Sequence, residues 1–106
     1  MATHEMIQKL RALARQVLPS DADAILFGSR ARGDARNDSD WDLLILIKGD
    51  KASNEDFERY AYPFVDFGWS VDAAIYPLIY SYEDWEHRSM TPFYKNVTKE
   101  GISLCH

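Results

Sequence analysis

The feature that most limits the fold of this chain is a pair of short apolar runs on either side of a highly charged segment. The second run, residues 42–47 with the sequence DLLILI, is apolar at every position after its aspartate. A strand with one exposed face would alternate apolar and polar residues, so this run predicts a strand buried on both faces. The first run, residues 24–27, ends at Gly28 and predicts a buried strand that enters a tight turn. Both strands are expected inside a covered sheet.

One helix is expected before these two strands in the sequence and another after them. Residues 3–18 repeat apolar side chains at helical spacing and are followed by Pro19. Ser53 with Asp56 resembles a capping box that opens another helix, which Pro63 should kink or end.

The later part of the chain predicts one more strand and two short helices. Residues 70–76, SVDAAIY, predict a third strand stopped by Pro77. Residues 82–88 and 92–100 predict helices, the second with Thr91 as its cap. The order of elements indicates an α/β (α+β) structure in which helices pack against a small mixed sheet.

Length and composition exclude several classes of protein. A chain of 106 residues fits one globular domain, residues 1–106. A formal net charge of -5 argues against binding to nucleic acid, which needs a basic face. The chain has no secretory signal pattern and no apolar stretch near the ~20 residues of a membrane span, so we expect a cytoplasmic protein. The single cysteine, Cys105, excludes an internal disulfide, and His4, His87 and His106 lie too far apart in sequence to suggest a metal site.

Asp40 and Asp42 start the second predicted strand two positions apart, so their side chains leave the same face, roughly 6.6 Å apart along the strand. Two carboxylates this close at the edge of an apolar core repel each other and lose solvation unless a cation lies between them. Oxygen ligands of this kind suit Mg²⁺ or Mn²⁺. An isolated D-x-D pair also fits two solvated residues at the entrance of a strand.

The residues before this pair suit phosphate binding. A Gly28-Ser29 turn has no bulky side chain, so its backbone N–H groups and its hydroxyl can approach a phosphate. Arg30, Arg32 and Arg36 follow, on what is predicted as a short helix, and an arginine can clamp phosphate oxygens with two hydrogen bonds. The same three arginines also suit surface ion pairs with the aspartates.

The spacing of these residues resembles a known signature. Gly28-Ser29, ten intervening residues and Asp40-x-Asp42 resemble the nucleotidyltransferases with a DNA polymerase β-like catalytic fold. The string GSRARGDARNDSDWDLLIL resembles the minimal nucleotidyltransferase branch, whose pattern runs G-S-x-A-R-G, then A-R, then S-D-x-D-L. Trp41 stands where an aliphatic residue is more usual, and its side chain is expected to face away from the aspartates.

The resemblance implies a third carboxylate from a later strand. Asp72 is the predicted candidate because it stands at the start of the third predicted strand, whereas Asp66 falls near the end of a helix and better suits a solvated or capping role. With Asp40, Asp42 and Asp72 the site would hold two Mg²⁺ or Mn²⁺ ions. The nucleotide, ATP, would contact Gly28, Ser29, Arg32, Arg36 and Ser39.

The resemblance also implies a function. The minimal branch is commonly the antitoxin of a prokaryotic toxin–antitoxin module, and its partner is a helical HEPN-domain ribonuclease that receives AMP from ATP on a tyrosine hydroxyl. Two alternatives stay open: an antitoxin that neutralises its toxin by binding alone, and an aminoglycoside-type nucleotidyltransferase that acts as a dimer. Aromatic residues concentrate after Asp56, and those that exceed the core would form a partner surface.

Overall fold

A four-stranded mixed sheet forms the centre of the structure, a computed structural model that describes residues 2–105. The strands are β1 (Asp23–Phe27), β2 (Trp41–Ile47), β3 (Ile75–Ser81) and β4 (Ile102–Ser103), in the order β3-β2-β1-β4. β1 is antiparallel to β2 and to β4, whereas β3 is parallel to β2. The predicted mixed α/β arrangement is confirmed, and the two strands expected inside the sheet are its two central strands.

The helices are α1 (Thr3–Val17), α2 (Ser29–Arg32), α3 (Asn54–Asp56), α4 (Tyr62–Ser70), α5 (Tyr82–Glu86) and α6 (Pro92–Glu100), with a π-helical segment, Phe57–Ala61, between α3 and α4. The hydroxyls of Ser53, Ser81 and Thr91 each accept a backbone N–H bond at the start of a helix, α3, α5 and α6 respectively. Among residues 2–105, no helix has both the length and the apolar character to cross a bilayer.

The side chains of β2 alternate between two apolar clusters on opposite faces of the sheet. Trp41 and Leu43 pack in the cluster that contains residues of α1 and α4. Leu44 and Leu46 pack in the cluster that contains residues of α5 and α6. Helices therefore cover both faces, which is why the run is apolar without alternation. By the same alternation, the side chain of Asp42 lies on the same face of the sheet as Leu44 and Leu46, the face covered by α5 and α6.

The prediction that Pro77 stops the third strand is wrong. β3 begins at Ile75 and continues through Pro77, which pairs in register with Leu43. β3 is an edge strand of the sheet. A proline is tolerated there because an N–H group that faces away from the neighbouring strand is not needed in the ladder.

The expected disturbance of the helix around Pro63 takes the form of a π-helical segment, Phe57–Ala61, directly before α4. The N–H of Tyr62 donates to the carbonyl of Phe57, five residues earlier, at the end of the π-helical segment. Pro63, which has no N–H group, then lies in the first turn of α4, where none is required.

Candidate active site

The antiparallel pairing of β1 with β2 places the glycine turn beside Asp42. Phe27, the last residue of β1, lies opposite Asp42 in the ladder, and Gly28 and Ser29 follow it directly. Gly28 has φ +76, in the left-handed region that favours glycine. A Cβ atom on Gly28 would lie 2.6 Å from Oδ2 of Asp42. Glycine is therefore needed here for its backbone conformation and for the close approach of the carboxylate, and the structure brings together the two segments that the sequence pattern singles out.

Asp42 lies in an environment that disfavours its charge. The side chain is half-buried, and this burial raises the pKa of the Asp42 carboxyl, with a further increase from the negative charge of Asp40. Within residues 2–105 neither carboxylate makes a side-chain hydrogen bond or an ion pair. A divalent cation bound by the two carboxylates would remove the repulsion and replace the lost solvation, so this pair fits Mg²⁺ or Mn²⁺.

Asp40 and Trp41 mark the start of β2. The strand begins at Trp41, so Asp40 lies one residue before it and not within it, and its side chain is exposed. The Trp41 side chain is 4% exposed and belongs to the α1/α4 cluster. It faces away from Asp42, as expected.

Asp72 is not brought to the Asp40–Asp42 pair. In the parallel ladder between β2 and β3, the residue beside Asp42 is Tyr76, and Asp72 lies four positions earlier in the chain. The expectation that Asp72 opens the third strand is wrong, because the strand begins three residues later, at Ile75. α4 continues to Ser70, and the residues that follow it are used to reverse the chain direction.

The backbone of Asp72 explains its place in this turn. Its φ is +56, a left-handed conformation that aspartate adopts more readily than most residues. The turn is closed by the Ala73 N–H, which donates to the Gly68 carbonyl at 2.9 Å. In the described part of the chain, no three histidine, cysteine or acidic side chains form a group that could hold a metal ion. The role of Asp72 as third ligand stays a prediction; its competitor Asp66 is an exposed residue of α4.

Comparison with known proteins identifies the family of this chain. Residues 6–102 match the family described as "Nucleotidyltransferase domain". The chain belongs to this family. A search of curated proteins found no match.

Two solved structures are similar in fold to this nucleotidyltransferase domain. One is described as the crystal structure of a toxin–antitoxin with AMP-PNP; it has 22% sequence identity and a TM-score of 0.61, over 92% of this chain and 71% of that chain. The other is a mutant of the toxin–antitoxin MntA-HpeT, with 19% identity and a TM-score of 0.58, over 98% of this chain and 73% of that chain. At these identities the likeness shows the fold.

Arg32 of the nucleotidyltransferase domain is held by two carboxylates. Its Nη1 donates to Glu100 at 3.1 Å and its Nε donates to Asp34 at 3.2 Å. These hydrogen bonds raise the pKa of Arg32, and its side chain is 44% exposed. In this arrangement the guanidinium is engaged by protein groups, and a phosphate would compete with Glu100 and Asp34 for it.

Arg36 and Ser39 lie in the loop between α2 and β2. α2 is shorter than the predicted helix, because Gly33 ends it with φ +85, so Arg36 is not helical. The Ser39 hydroxyl accepts the Arg36 N–H at 2.8 Å. Ser39 therefore shapes the loop in this structure, and contact of either residue with nucleotide stays a prediction.

α6 borders the site, a contact that the sequence pattern did not indicate. Phe93 packs edge-on against Phe27 with ring centroids 5.4 Å apart, and Glu100 reaches Arg32 across 68 positions of sequence. A small cavity of about 230 Å³ between α6 and the turn is lined in part by Gly28. Antiparallel pairing of β4 with β1 brings the end of α6 to this place. No local signal marks such a contact, because it depends on the return of the chain to the sheet.

A larger cavity, about 810 Å³, opens beside the site but is not lined by Asp40 or Asp42. It is bordered by Trp41 and by the turn that contains Asp72. Trp41 and Asp42 are neighbours in β2, so their side chains project from opposite faces of the strand, and the larger cavity lies on the Trp41 side.

Proposed function

We propose that this protein is an antitoxin nucleotidyltransferase that transfers AMP from ATP to a tyrosine hydroxyl of a helical HEPN-domain ribonuclease toxin in the cytoplasm. The observation that carries the proposal is the close approach of Gly28 to Asp42. It supports a site in which this turn would bind phosphate and the neighbouring carboxylate would bind metal. Membership of the nucleotidyltransferase family supports the transfer reaction. The toxin–antitoxin descriptions of the two similar structures support a toxin partner, and the AMP-PNP in one of them supports a nucleoside triphosphate. The HEPN class and the tyrosine acceptor rest on the sequence resemblance.

The turn is suited to hold the triphosphate. The first hydrogen bonds of α2 come from the N–H groups of Ala31 and Arg32, both to the Gly28 carbonyl. The N–H groups of Ser29 and Arg30 lie outside these bonds, and together with the Ser29 hydroxyl they can donate to phosphate oxygens. Because Gly28 has no side chain, the Asp42 carboxylate can lie directly against this turn.

The carboxylates would supply the metal-binding part of the site. Asp40 and Asp42 would hold a divalent ion, and the second ion implied by the resemblance would need Asp72 as well. When bound, such ions neutralise the triphosphate and activate the acceptor oxygen. The tyrosine hydroxyl releases its proton to solvent as its oxygen forms a bond to the α-phosphorus, the bond from that phosphorus to the bridging oxygen breaks, and pyrophosphate leaves. The protein contributes chiefly by positioning the groups and stabilising their charge.

The proposal is tested by the mass of the partner. The purified protein is mixed with ATP, Mg²⁺ and its proposed partner, a helical HEPN-domain protein, and the intact mass of that partner is measured. We expect the mass to increase by one AMP group, on a tyrosine, and Asp42→Asn to prevent the increase. An unmodified partner in the presence of folded wild-type protein contradicts the proposal.

Neutralisation by binding alone is a second candidate, favoured by exposed apolar side chains. Trp69 is 81% exposed and Tyr76 is 58% exposed. Exposure of large aromatic side chains to water is unfavourable, and contact with a partner would remove it. A binding-only antitoxin should neutralise its toxin equally well with wild-type Asp42 or with Asn at that position. A transferase should lose neutralisation in the Asp42→Asn variant while it still binds its partner.

A further inference from the structure

We propose that Arg30 is a positioning residue that orients Asp40, and through it the metal-binding pair. The proposal rests on the proposed function, because orientation of Asp40 matters only if Asp40 and Asp42 bind metal with a nucleotide. Arg30 touches neither carboxylate in the structure; it acts through the backbone that leads into them.

The guanidinium of Arg30 holds the end of the α2–β2 loop. Its Nη2 donates to the Ser39 carbonyl at 2.9 Å and to the Asn37 carbonyl at 3.2 Å, and its Nε donates to the Ser39 carbonyl at 3.3 Å. The Ser39 carbonyl belongs to the peptide bond that joins Ser39 to Asp40. The guanidinium therefore fixes the orientation of the peptide plane directly before Asp40.

The same guanidinium is itself held by Trp41. Its central carbon lies 4.4 Å from the centroid of the Trp41 ring, and that ring is buried in the α1/α4 cluster. A planar cation stacked on a fixed aromatic ring has little freedom to turn. Trp41 is also the unusual residue of the D-x-D pattern, and this contact accounts for an aromatic ring at its position.

Asp40 is thereby fixed on both sides, although it is exposed and lies outside β2. The peptide group before it is held by Arg30, and the peptide group after it is held by the Trp41 N–H, which donates to the Ala74 carbonyl at 2.9 Å. Arg30 also follows Ser29 directly in α2, so a single residue links the phosphate-binding turn to the carboxylate pair. Preorganisation of a metal ligand by its neighbours is worth about 10–100-fold in metal affinity.

Lysine cannot replace this arginine fully. The contacts need at least two N–H groups in one plane and a flat surface for the indole ring, which guanidinium has and ammonium lacks. Arg30→Lys keeps the charge and the length, so it separates the effect of geometry from the effect of charge.

The experiment measures metal binding through stability. Thermal melting is followed for wild type, Arg30→Ala, Arg30→Lys and Arg88→Ala, with a non-hydrolysable ATP analogue and increasing Mn²⁺. Arg88 is the matched control, because its guanidinium lies 4.6 Å from the Tyr80 ring and pairs with Asp84 at 3.7 Å, away from Asp40. We expect the Mn²⁺ concentration at half of the melting shift to rise about 10–100-fold in Arg30→Ala, less in Arg30→Lys, and to stay at the wild-type value in Arg88→Ala.

A second measurement follows amide hydrogen exchange at residues 39–41 without metal or nucleotide. We expect faster exchange in both Arg30 variants than in wild type and in Arg88→Ala. Unchanged Mn²⁺ dependence in folded Arg30→Ala overturns the inference, as does unchanged exchange; if Arg30→Ala does not fold, Arg30→Lys decides by the same two criteria. If wild type shows no melting shift, the proposed function fails, and the exchange measurement alone then decides whether Arg30 orders the backbone before Asp40.

Discussion

Asp42 and Asp72 stand close to the starts of two neighbouring parallel strands, yet the structure gives them different places. Asp42 lies within β2, opposite the residue before Gly28, and is half-buried next to an acidic neighbour. Asp72 lies in an exposed turn with a left-handed backbone, and Tyr76 takes the position beside Asp42 in β3. Which residues of neighbouring strands lie side by side depends on the register between those strands. The position of an aspartate just before an apolar run in the sequence is therefore not enough to predict whether it lies beside Asp42.

The largest expected effect comes from substituting the two aspartates separately. Asp42→Asn should reduce nucleotidyl transfer more than about 100-fold, beyond what loss of a residue that only supports a ligand costs. Asp72→Asn should reduce it much less, because the structure places this side chain in the turn before β3 and not beside Asp42. The measurement is the initial rate of pyrophosphate release or of partner modification at saturating Mg²⁺.

Equal losses of transfer activity in Asp42→Asn and Asp72→Asn would contradict the separate places that the structure gives these two residues. That result would mean that the turn after α4 rearranges when metal and nucleotide bind, and that Asp72 is the third ligand implied by the resemblance. Asp66→Asn, on the exposed side of α4, serves as the control acidic substitution.

The next effect concerns the close approach at Gly28. Gly28→Ala should destabilise the domain by about 1–3 kcal/mol, because its backbone lies at φ 76 and ψ -159, which glycine alone adopts readily. The new Cβ should also displace the Asp42 carboxylate. Gly33→Ala is the matched control, since Gly33 also has a positive φ but has no atom within 4 Å of the added Cβ. Each 1 kcal/mol corresponds to a melting shift of about 4–8 °C, so calorimetry resolves the difference.

Transfer activity should separate these two glycine variants more clearly than stability does. Gly28→Ala should lose activity at temperatures where the protein is still folded, and Gly33→Ala should keep it. Equal activities would show that the contact between the turn and Asp42 has no part in the reaction.

A smaller effect is expected at Ser29. Removal of a hydroxyl that donates to a charged phosphate costs about 1.5–3 kcal/mol, which is roughly 10-fold or more in the KM for ATP. Ser29→Ala should therefore raise this KM and leave the melting temperature of the nucleotide-free protein nearly unchanged, because the Ser29 side chain makes no hydrogen bond with residues 2–105. Ser70→Ala, in which an exposed helix-end hydroxyl is removed far from the turn in sequence, should leave the KM at its wild-type value.

The smallest expected effect is on the stability of the metal-free protein. The pKa of Asp42 is raised in the folded state, so the folded protein binds this proton more tightly than the unfolded chain, and the stability contribution of Asp42 falls as pH rises through the interval above its ordinary pKa. At pH 7 in EDTA, Asp42→Asn should therefore melt at the same temperature as wild type or higher. Below the ordinary aspartate pKa of about 3.9 that advantage should vanish.

Denaturant titrations of both proteins at about pH 7 and about pH 3 measure this difference. A markedly lower stability of Asp42→Asn at pH 7 would assign Asp42 a structural role and would contradict the electrostatic account of the site.

The sequence alone determined the features that depend on a residue and its near neighbours. The helical periodicity of α1, the Thr91 cap of α6 and the double burial of β2 follow from local spacing and side-chain chemistry. The approach of the Gly28 turn to Asp42 was also expected, because the family resemblance implied that Gly28-Ser29 and Asp40-x-Asp42 belong to one site.

Tertiary structure alone decided the features that depend on segments far apart in the chain. Pro77 lies inside β3 because that strand is at the sheet edge, and Asp72 is left in a turn because the β2–β3 register puts Tyr76 beside Asp42. Arg32 meets Glu100 because β4 returns to β1. Register and edge position are set by the packing of whole strands and helices against one another, and the local backbone preferences that a sequence displays do not contain that information.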